Sequence, residues 1–104
     1  MQNNVAAALT FEIHEKGKPI RELTFKQFII KIGRLSSANI RLEEEQVSRM
    51  HAVIELTDKG IHIIDLGSET GTFVLGQRII RCELHNGDEL LIGSTKIIIR
   101  LAQN

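Results

Sequence analysis

The chain has no tryptophan, no tyrosine, one proline, one cysteine and four phenylalanines among 104 residues. Each shortage excludes something. The lone cysteine, Cys82, cannot close an internal disulfide, which suits a reducing compartment. It has no second thiol for company, and no two of His14, His51, His62 and His85 sit at metal-ligating spacing on one element, so no metal or other cofactor is expected. A single proline and a 42% hydrophobic content exclude a disordered or collagen-like chain. Charge of one sign is also missing: 13 basic residues balance 13 acidic ones. That balance gives no global attraction to nucleic acid or to an anionic membrane. No apolar run approaches the ~18 residues of a membrane span, and Met1-Gln2-Asn3-Asn4 lacks the charged start of a signal peptide. The expectation is one small cytoplasmic domain, able at roughly 100 residues to fold without staples. Residues 1–8 read as an N-terminal extension and residues 9–104 as the domain.

What the chain has in excess is β-branched side chains: 26 of 104 residues, 16 of them isoleucine. These lose rotamer freedom in a helix and pack well on a pleated surface. Short apolar segments follow one another at Leu9–His14, Arg21–Phe25, Phe28–Ile32, Ile40–Leu42, Ala52–Leu56, Ile61–Leu66, Thr72–Leu75, Arg78–Arg81, Glu89–Ile92 and Lys96–Leu101. Turn chemistry bounds them, as in Lys16-Gly17-Lys18-Pro19 and Asn86-Gly87-Asp88. The pattern predicts an all-β sandwich or barrel. The stretch Leu42–Gln46 is too short for a stable helix, and its three consecutive glutamates read as a solvated loop.

The enzyme readings find little support. A Cys82/His85 nucleophile pair would need an electropositive niche and an oriented base, and Cys82 lies in a plain strand-like stretch. The run Gly67-Ser68-Glu69-Thr70-Gly71-Thr72 has no lysine and leads into a strand, so it is no nucleotide-binding loop. Three other segments carry more. Ile32-Gly33-Arg34 ends a strand with a guanidinium. Val47-Ser48-Arg49-Met50-His51 opens a strand after a polar turn. Asp65 to Phe73 is a strand-loop-strand passage. Placed at one rim of a sandwich, they would line a shallow anion site.

These residues resemble the forkhead-associated (FHA) domain family. The resemblance runs from about Phe28 to Leu101 and comprises Gly33-Arg34, Asn39-Ile40-Arg41-Leu42 and Val47-Ser48-Arg49-Met50-His51-Ala52. It continues through Asp65-Leu66-Gly67-Ser68, Gly71-Thr72-Phe73-Val74, Gly76, Leu84, Gly87-Asp88-Glu89-Leu90 and Ile92-Gly93. It implies a two-sheet sandwich of about 11 short, mostly antiparallel strands. It also implies a phosphothreonine-peptide-binding module in signalling or regulated assembly, with no catalytic chemistry. Such domains commonly sit in larger multidomain chains. By position, Arg34 and Ser48 would contact the phosphate and Arg49 the peptide or phosphate. His51, Gly33, Asp65 and Gly71 would be structural. A phosphothreonine carries about −1.5 to −2 charges, which such donors satisfy without activating water or removing a proton.

The third segment departs from the family pattern, which usually reads Ser-Thr/Ser-Asn-Gly-Thr. Here Glu69 replaces the hydroxyl residue and Thr70 the asparagine, and Leu75 stands where an asparagine commonly precedes Gly76. Both Glu69 and Thr70 fall within the phosphopeptide-binding positions. A carboxylate about 6 Å from each unit of phosphate charge costs roughly 0.7–3 kcal/mol, according to the local dielectric. Arg34, Ser48 and Arg49 therefore favour phosphopeptide binding. Glu69 and Thr70 favour the alternative, a degenerate FHA domain that binds protein without phosphate. Individually, Arg49 also reads as a partner for Glu43, Glu44 or Glu45, and Ser48 as a turn serine bonded to its own backbone.

Overall fold

Leu9, Phe11 and Ile13 are buried, while Thr10, Glu12 and His14 between them are only partly so. A period of two directs alternate side chains to opposite faces of a sheet, and this alternation organises the fold. The structure is a computed structural model that describes residues 7–101. Residues 1–6 of the expected extension lie outside the described residues, and Ala7 and Ala8 lead directly into the first strand.

Eleven strands follow in order: β1 (Leu9–His14), β2 (Arg21–Phe25), β3 (Ile29–Gly33), β4 (Ile40–Arg41), β5 (Ala52–Thr57) and β6 (Gly60–Asp65), then β7 (Thr72–Val74), β8 (Gln77–Ile79), β9 (Arg81–Leu84), β10 (Glu89–Ile92) and β11 (Thr95–Leu101). One sheet has the order β2-β1-β11-β10-β7-β8 and the other β4-β3-β5-β6-β9. The sandwich expectation holds, and the barrel alternative falls. All strand pairs are antiparallel except β3 with β4, where Ile32 faces Ile40 and Gly33 faces Arg41. Among the described residues no helix is long and apolar enough to cross a membrane.

Between the sheets lie nine fully buried isoleucines, including Ile30, Ile32 and Ile54 from one sheet and Ile92, Ile97 and Ile99 from the other. Each such side chain removed from water contributes about 1.5–3 kcal/mol, and this is where the isoleucine excess goes. Phe11 and Phe25 supply the one aromatic pair found among the described residues, with ring centroids 6.1 Å apart.

The single segment expected over Arg78–Arg81 is two strands. β8 pairs with β7 in the first sheet and β9 with β6 in the second. Ile80 is the crossing residue, 80% exposed, and its carbonyl accepts from the Asp65 N–H at 2.8 Å. The apolar pattern could not reveal the break, because an isoleucine at a sheet switch looks like an isoleucine in a strand.

The β7–β8 hairpin carries a local conflict. Its two turn residues, Leu75 and Gly76, have φ of 50° and 84°. Two positive values are what a two-residue primed turn demands, and Asn-Gly is its favoured sequence. A leucine in the left-handed region costs about 1–2 kcal/mol, and this one is 66% exposed, with little burial to offset that cost. Leu75→Asn is therefore expected to stabilise the domain by about 1 kcal/mol, raising Tm by roughly 4–8 °C. A thermal melt checks it, and an unchanged or lower Tm would contradict it.

Candidate functional site

Three loops meet where β3 and β6 end and β5 and β7 begin. The first contact is enforced by a missing side chain. A Cβ at Gly33 would collide with the carbonyl of Arg49, so only glycine lets the β4–β5 loop lie against the end of β3. Across that contact, the Arg34 N–H donates to the Ser48 carbonyl (3.1 Å), the Leu35 N–H to the Arg49 carbonyl (3.2 Å) and the His51 N–H to the Ile32 carbonyl (2.9 Å).

The Arg34 side chain lies across the same loop. Its Nε donates to the carbonyl of Val47 at 2.5 Å. That bond orients the planar guanidinium and leaves both Nη groups, with four of its five N–H donors, facing an exposed rim. Arg34 forms no ion pair among the described residues. Ser48 Oγ accepts from the Glu69 N–H at 3.3 Å, so its own proton remains free to donate. The Ser48 N–H is already engaged with His51 Nδ1 at 3.0 Å.

His51 is fully buried and works as a strut. Because Nδ1 accepts from Ser48, the other ring nitrogen carries the proton, and Nε2 donates to the Gly71 carbonyl at 2.8 Å. One imidazole thus joins the β4–β5 loop to the β6–β7 loop. Thr70 adds a second tie: its hydroxyl donates to the Gln46 carbonyl at 2.7 Å. The proton of that hydroxyl is therefore spent within the protein.

Beneath the loops, Asp65 gathers donors. Its carboxylate accepts from Ser68 Oγ (2.5 Å), the Ser68 N–H (2.9 Å) and Thr72 Oγ1 (2.7 Å). Ser68 Oγ in turn accepts from the Gly71 N–H at 3.0 Å, which holds Gly71 at φ 91°. Ser68 was given no role by sequence reasoning; the Asp65-x-x-Ser68 spacing of an Asx-type turn was the available signal.

Glu44 corrects the solvated-loop reading. Its carboxylate accepts from the Ser94 N–H (2.9 Å), Ser94 Oγ and Thr95 Oγ1 (2.7 Å), which ties the β4–β5 loop to the β10–β11 turn. Glu43 pairs with Arg41 at 3.4 Å. Arg49 pairs with none of the three glutamates, nor with any other acid among the described residues, and its side chain stands exposed at the rim.

Two further arginines approach the site. Arg41 Nε donates to the Arg34 carbonyl at 3.0 Å. Arg78 lies against Gly71, where an added Cβ would sit 2.6 Å from its Nε. A depression of about 250 Å³ beside Arg34 is lined by Arg41, Glu43, Glu44 and Glu45. Neither arginine was singled out as a site residue from sequence, since nothing local distinguishes them from ordinary surface cations.

Asp65 and Glu44 both have carboxyls held below their ordinary values of 3.8 and 4.5. For each, burial is the largest single influence and raises it. Hydrogen bonds from Ser68 and Thr72 to Asp65, and from Ser94 and Thr95 to Glu44, together outweigh that burial. A carboxyl lower in the folded state than in the unfolded one stabilises fully above its unfolded pKa and ceases to do so as pH falls through the folded value. Urea midpoints are expected to be steady near neutrality and to fall as pH drops below about 4.5, the upper of those two ordinary values. The slope should be shallower in Asp65→Asn and in Glu44→Gln, and an equal slope in all three proteins would contradict this account.

A two-sheet sandwich with hydroxyls and guanidiniums braced on loops at one rim defines a class of binding domain. Residues 30–93 match the family model of the FHA domain, and the chain belongs to that family. The glycogen accumulation regulator GarA of Mycobacterium tuberculosis is 35% identical over 72 residues, 69% of this chain and 44% of GarA. The chain thus matches that relative over less than half of the relative's length. Among solved structures, Mycobacterium tuberculosis EmbR in complex with a low affinity phosphopeptide superposes with a TM-score of 0.84 at 29% identity, covering 94% of this chain and 25% of that one. A structure from work on phosphothreonine-dependent FHA domain interactions superposes with a TM-score of 0.83 at 27% identity, over 93% of this chain and 99% of the other.

Proposed function

We propose that this domain captures phosphothreonine-containing peptides or proteins, with Arg34 and Ser48 donating to the phosphate and Arg49 assisting. One observation carries the reading. Arg34 is fixed through Nε on the Val47 carbonyl, and among the described residues its two Nη groups have no partners, beside a serine whose hydroxyl proton is free. Charge-assisted bonds from such donors contribute about 1.5–3 kcal/mol each. The neighbouring groups support binding rather than catalysis. The imidazole at the site has both nitrogens engaged, so it is not poised to take a proton from a nucleophile. Glu69 and Thr70 belong to the binding rim as a charge facing solvent and as a tie to the β4–β5 loop. The domain acts as an interaction module of a larger cytoplasmic protein.

The test is a fluorescence-polarisation titration with a phosphothreonine peptide library, repeated with unphosphorylated peptides and with Arg34→Ala. The expected result is binding that needs both the phosphate and Arg34. Binding that survives both changes would favour the phosphate-independent alternative, to which the carboxylate at Glu69 gives some support.

A further inference from the structure

Glu69 carries the wrong charge for a phosphate site, yet it is held at the centre of one. Its N–H is anchored on Ser48 Oγ, so its Cα sits next to the hydroxyl that donates to phosphate, and its side chain is exposed. Among the described residues its carboxylate has no ion-pair partner and accepts no side-chain hydrogen bond. Arg34, Arg49 and Arg78 on the same rim likewise form no ion pair among the described residues. The other acids nearby are mostly occupied: Glu43 by Arg41, Glu44 by Ser94 and Thr95 and Asp65 by Ser68 and Thr72. Glu45 is exposed and lines the depression beside Arg34, so it serves as the control carboxylate.

We propose that Glu69 is a specificity residue, selecting phosphothreonine peptides that carry a lysine or arginine within two residues of the phosphorylated side chain. This rests on the phosphopeptide reading above. A peptide without that cation sets its phosphate against an uncompensated carboxylate. A peptide with it places a positive charge between the two and turns the repulsion into an attraction of similar size. The discrimination is by penalty as much as by gain. With the charges about 6 Å apart, it amounts to about three- to tenfold in affinity at a solvated rim. The ligand is then a product of threonine phosphorylation beside a basic residue.

The test uses matched phosphothreonine peptides with Lys, Ala or Glu placed in turn at the two positions on either side. Each is titrated by fluorescence polarisation against the wild-type chain, Glu69→Gln and Glu45→Gln. At one or more positions the Lys peptide is expected to bind about three- to tenfold tighter than the Ala peptide, and the Glu peptide more weakly still. In Glu69→Gln one change should have two signs, weakening the Lys peptide and tightening the Ala peptide. Added salt should shrink the preference in the wild-type chain. Equal affinities for the Lys and Ala peptides, or a preference that persists in Glu69→Gln, would overturn the assignment, and its loss in Glu45→Gln would move the role to that residue. Unphosphorylated peptides binding as well as phosphorylated ones would overturn the phosphopeptide reading itself, a separate and recognisable result.

Discussion

Arg34→Ala is expected to weaken phosphothreonine-peptide binding by about 100-fold or more while leaving the fold intact. The magnitude follows from what is lost. Two free Nη groups can each give a charge-assisted bond of about 1.5–3 kcal/mol, and every 1.4 kcal/mol is a factor of ten. The fold loses much less. Among the described residues the guanidinium's side-chain bond to the protein is the part-buried one from Nε to the Val47 carbonyl, worth about 1–2 kcal/mol. Arg34→Lys separates charge from shape: it keeps the cation but not the planar fork, and should fall between wild type and alanine. Fluorescence polarisation with thermal melts on the same samples reads both effects. Wild-type affinity in the alanine variant would remove Arg34 from the site.

Gly33→Ala is expected to act on stability and binding together. A Cβ there meets the main-chain carbonyl of Arg49, and backbone cannot swing aside as a side-chain tip can. The β4–β5 loop would have to lift from the end of β3, breaking the bonds that Arg34, Leu35 and His51 make across that contact. The expected cost is about 3 kcal/mol or more, with phosphopeptide affinity lost because Ser48 moves with the loop. Gly67→Ala is the control. That residue has φ of 72° but open space around it, so its cost is the left-handed backbone alone, about 1 kcal/mol. Urea denaturation separates the two, and equal losses would mean that close approach at Gly33 is not what matters.

Much of this architecture could be read from residue pattern. Alternation in Leu9–His14 reports one buried face, and the β-branched run within Lys96–Leu101 marks a strand; those segments became β1 and most of β11. The order of Gly33-Arg34, Ser48-Arg49 and Asp65 to Thr72 along the chain pointed to loops that the sheets then bring to one rim. The break at Ile80 was not readable, because it depends on which sheet each neighbour joins. Nor was the commitment of the Thr70 hydroxyl to Gln46, a contact across 24 residues of chain. Glu44 among three glutamates was invisible for the same reason, since its partners Ser94 and Thr95 lie about 50 residues away. Local pattern encodes which face a residue presents, whereas such partnerships depend on tertiary placement.

The His51 strut has a kinetic consequence. With the Ser48 and Gly71 segments locked to one another by a single ring, an arriving partner meets a receptor that is already assembled. Little freedom is given up on docking, so partners that differ in strength will differ chiefly in how long they stay rather than in how fast they arrive.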